Sequence, residues 1–126
     1  MKNNKKHIVI IEDDPVLREL TQMAFVVEGF EVDMFEDGEK GIAYLENDLA
    51  SVDLVLLDIL MPVLDGVHVL NWLRKTRQSS VNVVVMTAMI DDVTEQKMLS
   101  AGANNVIKKP LDMNILLTTT KALLNN

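Results

Sequence analysis

Apolar runs of strand length punctuate the chain at His7–Ile11, Asp53–Leu57 and Asn82–Met86, each rich in Val, Ile or Leu and each closed by polar or turn-forming residues. Runs without polar alternation predict strands buried on both faces. Glu31–Phe35 and Asn105–Ile107 are weaker strand candidates. Between these runs the period lengthens to that of a helix. The first helix has Pro15 near its start and Gly29 just past its end, with Leu17, Leu20, Ala24 and Val27 as the stripe expected to face a sheet. A second helix follows Asp37-Gly38. A third follows Asp65-Gly66, with Val67, Leu70 and Leu73 in phase. The fourth starts near Asp91-Asp92 and ends at Gly102, and the fifth runs from about Asp112, an N-cap two residues after Pro110, towards Leu124. Five strands alternating with five helices predict an α/β, doubly wound (βα)5 fold, a parallel sheet with right-handed crossovers and helices on both faces.

In such a sheet ligands collect outside the carboxyl ends of the strands, where the strand order reverses. Those ends carry Glu12-Asp13-Asp14, then Asp58, then Thr87, then Lys108-Lys109 before Pro110. If the order is the flavodoxin-like 2-1-3-4-5, the first and third strands are neighbours and Asp13 meets Asp58. Two such charges 4 Å apart repel by ~4 kcal/mol at an effective dielectric of 20, so a cation must compensate. Mg²⁺ suits one or two carboxylates plus waters and commonly bridges to phosphate oxygens. Lys109 supplies a second positive charge and Thr87 a hydroxyl donor. A carboxylate nucleophile, a metal and fixed donors are what phosphoryl transfer through an aspartyl phosphate requires.

Composition narrows the setting. The 126 residues suffice for one compact domain and one core, with 48% hydrophobic residues. A formal charge of −7 disfavours nucleic-acid contact by this chain, because phosphate-backbone affinity comes from Lys and Arg. There is no cysteine, so neither a disulfide framework nor a thiolate metal site can form. Met1–Lys6 is a short basic tail, but the apolar run behind it stops at Glu12, too short for a signal-peptide core or a membrane span. The expected setting is cytoplasmic, with residues 7–124 forming the domain and no effector domain following.

The Ile10-Ile11-Glu12-Asp13-Asp14-Pro15 cluster with Arg18 beyond it, Leu57-Asp58-Ile59-Leu60-Met61-Pro62 leading to Asp65-Gly66, Met86-Thr87-Ala88, Ala101-Gly102-Ala103 and Lys109-Pro110 resemble the receiver domain of two-component response regulators. Each segment is weak alone; five in order at the family's spacing are specific. The resemblance implies that Asp58 accepts a phosphoryl group from a sensor histidine kinase. It also implies that Asp13, Asp58 and the backbone carbonyl of Leu60 bind Mg²⁺, with Glu12 supporting the metal through water. Arg18 sets the register that makes Glu12-Asp13 the functional pair and leaves Asp14 flanking. Thr87 would bond the phosphoryl group, Ala88 would leave room for it and Lys109 would pair with it.

The chain also departs from that pattern. Val106 stands where many receivers carry a switch aromatic, Asn104-Asn105 replace a frequent acidic pair, and the fifth helix has no Arg. Leu60 and Met89 are apolar at positions that influence water access to the acyl phosphate, which implies slow self-dephosphorylation. The signal would leave by protein–protein contact through helix four, strand five and helix five. A phosphorelay intermediate serving a histidine phosphotransfer protein is the alternative on the same chemistry. A haloacid-dehalogenase-like phosphatase would need an acid where Leu60 stands. A flavin carrier would need a phosphate loop after the first strand, and a pseudo-receiver would not retain Asp13, Asp58, Thr87 and Lys109. His7 and His68 lack companions at metal-ligand spacing and read as structural. Met61-Pro62 and Asp65-Gly66 read as turn chemistry shaping the loop after Asp58. Trp72 reads as packing; the alternative, beside Arg74 and Arg77, is a partly exposed ring that contacts a partner.

Overall fold

The computed structural model describes residues 5–59, 65–88 and 91–124. Its elements follow in strict alternation: β1 (His7–Ile11), α1 (Pro15–Val27), β2 (Glu31–Phe35), α2 (Gly38–Asp48) with a 3₁₀ turn at Leu49–Ser51, and β3 (Leu54–Asp58). Then come α3 (Gly66–Asn71), continued by a π-helical turn at Trp72–Thr76, β4 (Asn82–Thr87), α4 (Asp92–Ser100), β5 (Asn105–Lys108) and α5 (Met113–Leu124). The strands form one parallel sheet in the order β2-β1-β3-β4-β5. The predicted doubly wound fold and strand order are therefore the observed ones.

Because every crossover is a helix, the central strands lose both faces to packing. β1 and β3 are buried along their whole length. Alternate residues of the same strands feed two separate cores. Val9, Ile11, Val55, Leu57, Val83 and Val85 point to the side covered by Leu45 of α2, Leu70 of α3 and Met98 of α4. Ile8, Ile10, Leu54, Leu56, Val84 and Met86 point to the side covered by Phe25 of α1 and Leu116 of α5. An aspartate side chain caps each helix: Asp14, Asp37, Asp65, Asp91 and Asp112 accept from first-turn amides of α1 to α5 in turn. Each such cap stabilises by about 1 kcal/mol.

The first helix departs from its predicted stripe. Leu20 is 53% and Val27 83% exposed, and the buried positions are Thr21 and Phe25. Thr21 can be buried because its hydroxyl donates back to the Leu17 carbonyl at 2.7 Å, so a polar residue hides on the sheet side. Four strand boundaries also move by one residue, including the end of β5, which reaches Lys108. Asp53 lies outside β3, where its carboxylate accepts from the His7 amide. Asp58 and Thr87, expected just past their strands, are the last strand residues, because the ladder carries on through Asp58↔Met86 and Thr87↔Lys108.

Candidate phosphoryl-acceptor site

Five polar side chains converge where β1, β3, β4 and β5 end. The strand middles are wholly apolar, so these residues sit at the first positions where the sheet admits charge. Glu12, Asp58 and Thr87 are almost fully buried, whereas Asp13 is exposed at the rim. Lys109 enters from beyond β5, its backbone amide bonded to the Thr87 carbonyl at 2.8 Å. Its Nζ lies 2.9 Å from Glu12 Oε1 and 3.2 Å from Asp58 Oδ2. One oxygen each of Glu12, Asp13 and Asp58 lies within 4.8 Å of the others. Thus the two acids brought together from β1 and β3 by strand order, and the lysine from β5, occupy one site.

Charge at this site is unbalanced. Three carboxylates face one ammonium, and burial together with the Glu12 charge pushes the Asp58 pKa up to about 7, against the pull of Lys109. Burial alone would lower the Lys109 pKa, but Glu12 and Asp58 outweigh it and hold the ammonium above its ordinary value. Glu12 accepts from the Asp14 amide through its other oxygen at 3.1 Å, which fixes its carboxylate in place.

Supporting residues explain how the acidic turn keeps its shape. Arg18 donates to the Glu12 carbonyl at 2.8 Å and to the Asp13 carbonyl at 3.4 Å, so one guanidinium ties down the backbone of both acids. The sequence signals Arg18 only by its offset, and its structural work is visible only once α1 turns back over the loop. Asp14 belongs to the helix as its N-cap. Gly66 lies against the Asp58 carbonyl, where a Cβ would collide with backbone, and its amide donates to the Ile59 carbonyl at 2.9 Å. Ala88 is exposed beside Thr87, and Lys108 points to solvent. Val106 is buried in the core between the sheet and α4. Leu60, Met61, Pro62 and Met89 lie outside the described residues.

The two histidines remain outside the site. His7 binds Asp33 at 2.7 Å and the Ser51 carbonyl at 3.2 Å, at the opposite end of the sheet. Trp72 is half-buried with Arg77 stacked over its ring at 5.4 Å. Arg74 instead turns to the Gly102 and Ser79 carbonyls, each at 3.0 Å.

The doubly wound sheet thus gathers carboxylates, a hydroxyl and a lysine at its carboxyl edge, where folds of this class place their ligand sites. Residues 8–121 match the model of the response regulator receiver domain, and the chain belongs to that family of two-component signalling proteins. It is 35% identical over 121 residues to the transcriptional regulatory protein CseB of Streptomyces coelicolor, an alignment covering 96% of this chain and 50% of CseB. The chain spans about half the length of curated relatives of this kind. Among solved structures it superposes on a CheY-like receiver domain protein from Methanospirillum hungatei with a TM-score of 0.88 and 29% identity, covering 97% of this chain and 95% of that one. A chain of the CheX-CheY-BeF3-Mg complex from Borrelia burgdorferi superposes with a TM-score of 0.90 and 26% identity, covering 96% and 90%. Among the described residues no helix is long and apolar enough to cross a membrane.

Proposed function

We propose that Asp58 accepts a phosphoryl group from the phosphohistidine of a sensor histidine kinase, and that the phosphorylated domain signals by binding a further protein. The observation that carries this reading is the buried Asp58, paired with Lys109 and crowded by the carboxylates of Glu12 and Asp13. In the transfer, an Asp58 carboxylate oxygen attacks phosphorus, the bond to the histidine nitrogen breaks, and the imidazole departs with that bond's electron pair. Lys109 holds the acceptor oxygen and then a phosphoryl oxygen. Thr87 donates its hydroxyl to another, and Ala88 adds no bulk beside it.

The donor set fits Mg²⁺: all ligating atoms are carboxylate oxygens, and one acid is exposed, so that waters can complete the shell. Asp13 and Asp58 would hold the ion, with Glu12 supporting it through water. The Leu60 carbonyl assigned to the same role lies outside the described residues. When bound, the ion supplies positive charge that lowers the Asp58 pKa and offsets charge on the transferring phosphoryl oxygens. A chelator should therefore stop the reaction.

On the output side, the exposed Ile115 lines a cleft of about 280 Å³ between β5 and α5 that includes Val106 and Lys108, and Val93 is exposed on α4. Helix α4, β5 and α5 form the face offered to the downstream protein. With Val106 in the core, that face changes without an aromatic side chain swinging inward. Apolar Leu60 and Met89 make the phosphorylated form long-lived, so Leu60→Asn/Met89→Glu should shorten its lifetime. CseB and other relatives matched are transcriptional regulatory proteins, which does not favour the phosphorelay alternative. A cytoplasmic setting follows from the kinase partner, and nucleic acid is contacted, if at all, by other parts of a regulator.

The test is incubation with Mg²⁺ and a small phosphoryl donor such as acetyl phosphate, followed by mass spectrometry. We expect one phosphoryl increment on the peptide containing Asp58, absent with EDTA and in Asp58→Asn. An unmodified wild-type chain under these conditions would refute the reading.

A further inference from the structure

The exposed apolar side chains are unevenly distributed. Eight large hydrophobics are exposed among the described residues, and five of them lie on α1: Val16, Leu20, Met23, Val26 and Val27. Val16, Leu20, Met23 and Val27 are spaced 4, 3 and 4 residues apart, which places them in one line along the helix. This line lies opposite the buried Thr21 and Phe25, so α1 is apolar on both sides. A 4-3-4 line is the seam of knobs-into-holes packing, and its natural occupant is another helix.

We propose that α1 is a weak homodimer face, on which the α1 of a second copy packs antiparallel about a two-fold axis passing between Thr21 and Gln22. The spacing itself argues for a second copy. A two-fold interface must be self-complementary, and 4-3-4 reads the same in both directions. In the antiparallel register Val16 faces Val27 of the second copy and Leu20 faces Met23. No charged residue lies in the seam. The acid on its flank, Glu19, comes opposite the apolar Val26. Five side chains exposed by half or more make a patch on the order of 400 Å², about half the 800 Å² per partner of a standard stable interface. The dimer is therefore weak and reversible. A cleft of about 470 Å³ runs from Val16, Leu17 and Leu20 to Lys109 and Leu111, so a second copy on α1 also narrows one approach to Asp58.

Sedimentation across about 10 µM to 1 mM tests the proposal. We expect the mass to rise from monomer towards dimer, and Met23→Glu to remain monomeric at the top concentration. Because the chain has no cysteine, register can be read independently. Under mild oxidation Leu20→Cys should cross-link when mixed with Met23→Cys, as should Val16→Cys with Val27→Cys, more readily than any of the four with itself. These positions are exposed, and the cross-links report on the seam without the charge variant. A chain that stays monomeric at 1 mM, dimerisation unaffected by Met23→Glu, or self-cross-linking of each single variant would overturn the proposal. So would a monomeric wild type whose Met23→Glu variant takes phosphate more slowly from a kinase, which would give the seam to a helix of that partner. Sedimentation and cross-linking do not depend on Asp58 chemistry, so failure of the phospho-acceptor reading would be seen separately.

Discussion

The sheet carries a polar cluster near each end, and the two are built on opposite plans. Near the amino ends, His7 binds the Asp33 carboxylate and the Ser51 carbonyl, and the Tyr44 hydroxyl donates to the same Asp33. Each polar group there has an opposite number, and burial together with the Asp33 charge pushes the Tyr44 pKa up to about 12, leaving the phenol neutral. At the carboxyl ends, three carboxylates share one lysine, and Asp58 is held far from its ordinary pKa. The balanced cluster stabilises the fold. The unbalanced one stores unfavourable negative charge, which a proton or a cation relieves.

The largest break in this contrast should come from Asp58→Asn. It removes the acceptor, so phosphoryl uptake falls to background, yet it should stabilise the metal-free protein at pH 7 by up to about 4 kcal/mol in urea unfolding. The sign follows from the raised pKa. Between about pH 4 and 7 the folded chain keeps a proton on Asp58 that the unfolded chain releases, so wild-type stability declines as pH rises through this window and then levels off. The Asn variant should lack this decline and match the wild type near pH 4, and a parallel decline in both would remove Asp58 as its cause.

Next in size, Lys109→Met leaves Glu12 and Asp58 buried without their cation, at a cost of about 3 kcal/mol at pH 7. Phosphoryl uptake should be lost with it, and lowering the pH towards 5 should recover much of the stability. At the balanced end, His7→Phe keeps ring volume but strands the Asp33 and Ser51 acceptors. It should cost about 1–2 kcal/mol and leave the uptake rate unchanged. A matching loss of uptake would show that the two ends are coupled. Smallest of all, Lys121→Ala removes the exposed ion pair to Glu28 between α5 and α1 and should change the unfolding midpoint by less than about 0.5 kcal/mol.

Much of this was legible in the chain because it depends on local pattern. Uninterrupted Val, Ile and Leu runs announce doubly buried strands, and Asp residues placed before helical periods announce the caps at Asp37, Asp65, Asp91 and Asp112. Asp58 and Thr87 could be picked out because they are the first polar residues at the close of apolar strands, whereas Asp13 and Lys109, each behind another charged residue, needed the offsets to Arg18 and Pro110. The reading failed where burial depends on what a helix is packed against. Leu20 and Val27 are as apolar as any core residue, yet the sheet took Thr21 and Phe25, since a threonine hydroxyl satisfied by its own helix can be buried at little cost.

By itself, then, the sequence determined the elements, their alternation and the residue types at the strand ends, because these follow from periodicity and hydrophobicity over a few neighbours. Tertiary structure decided which distant charges meet, that Arg18 secures the turn holding Glu12 and Asp13, and that α1 keeps an apolar seam on its outside. Those outcomes depend on distances between residues far apart in the chain. Electrostatic imbalance and burial are properties of such distances, and no local window contains them.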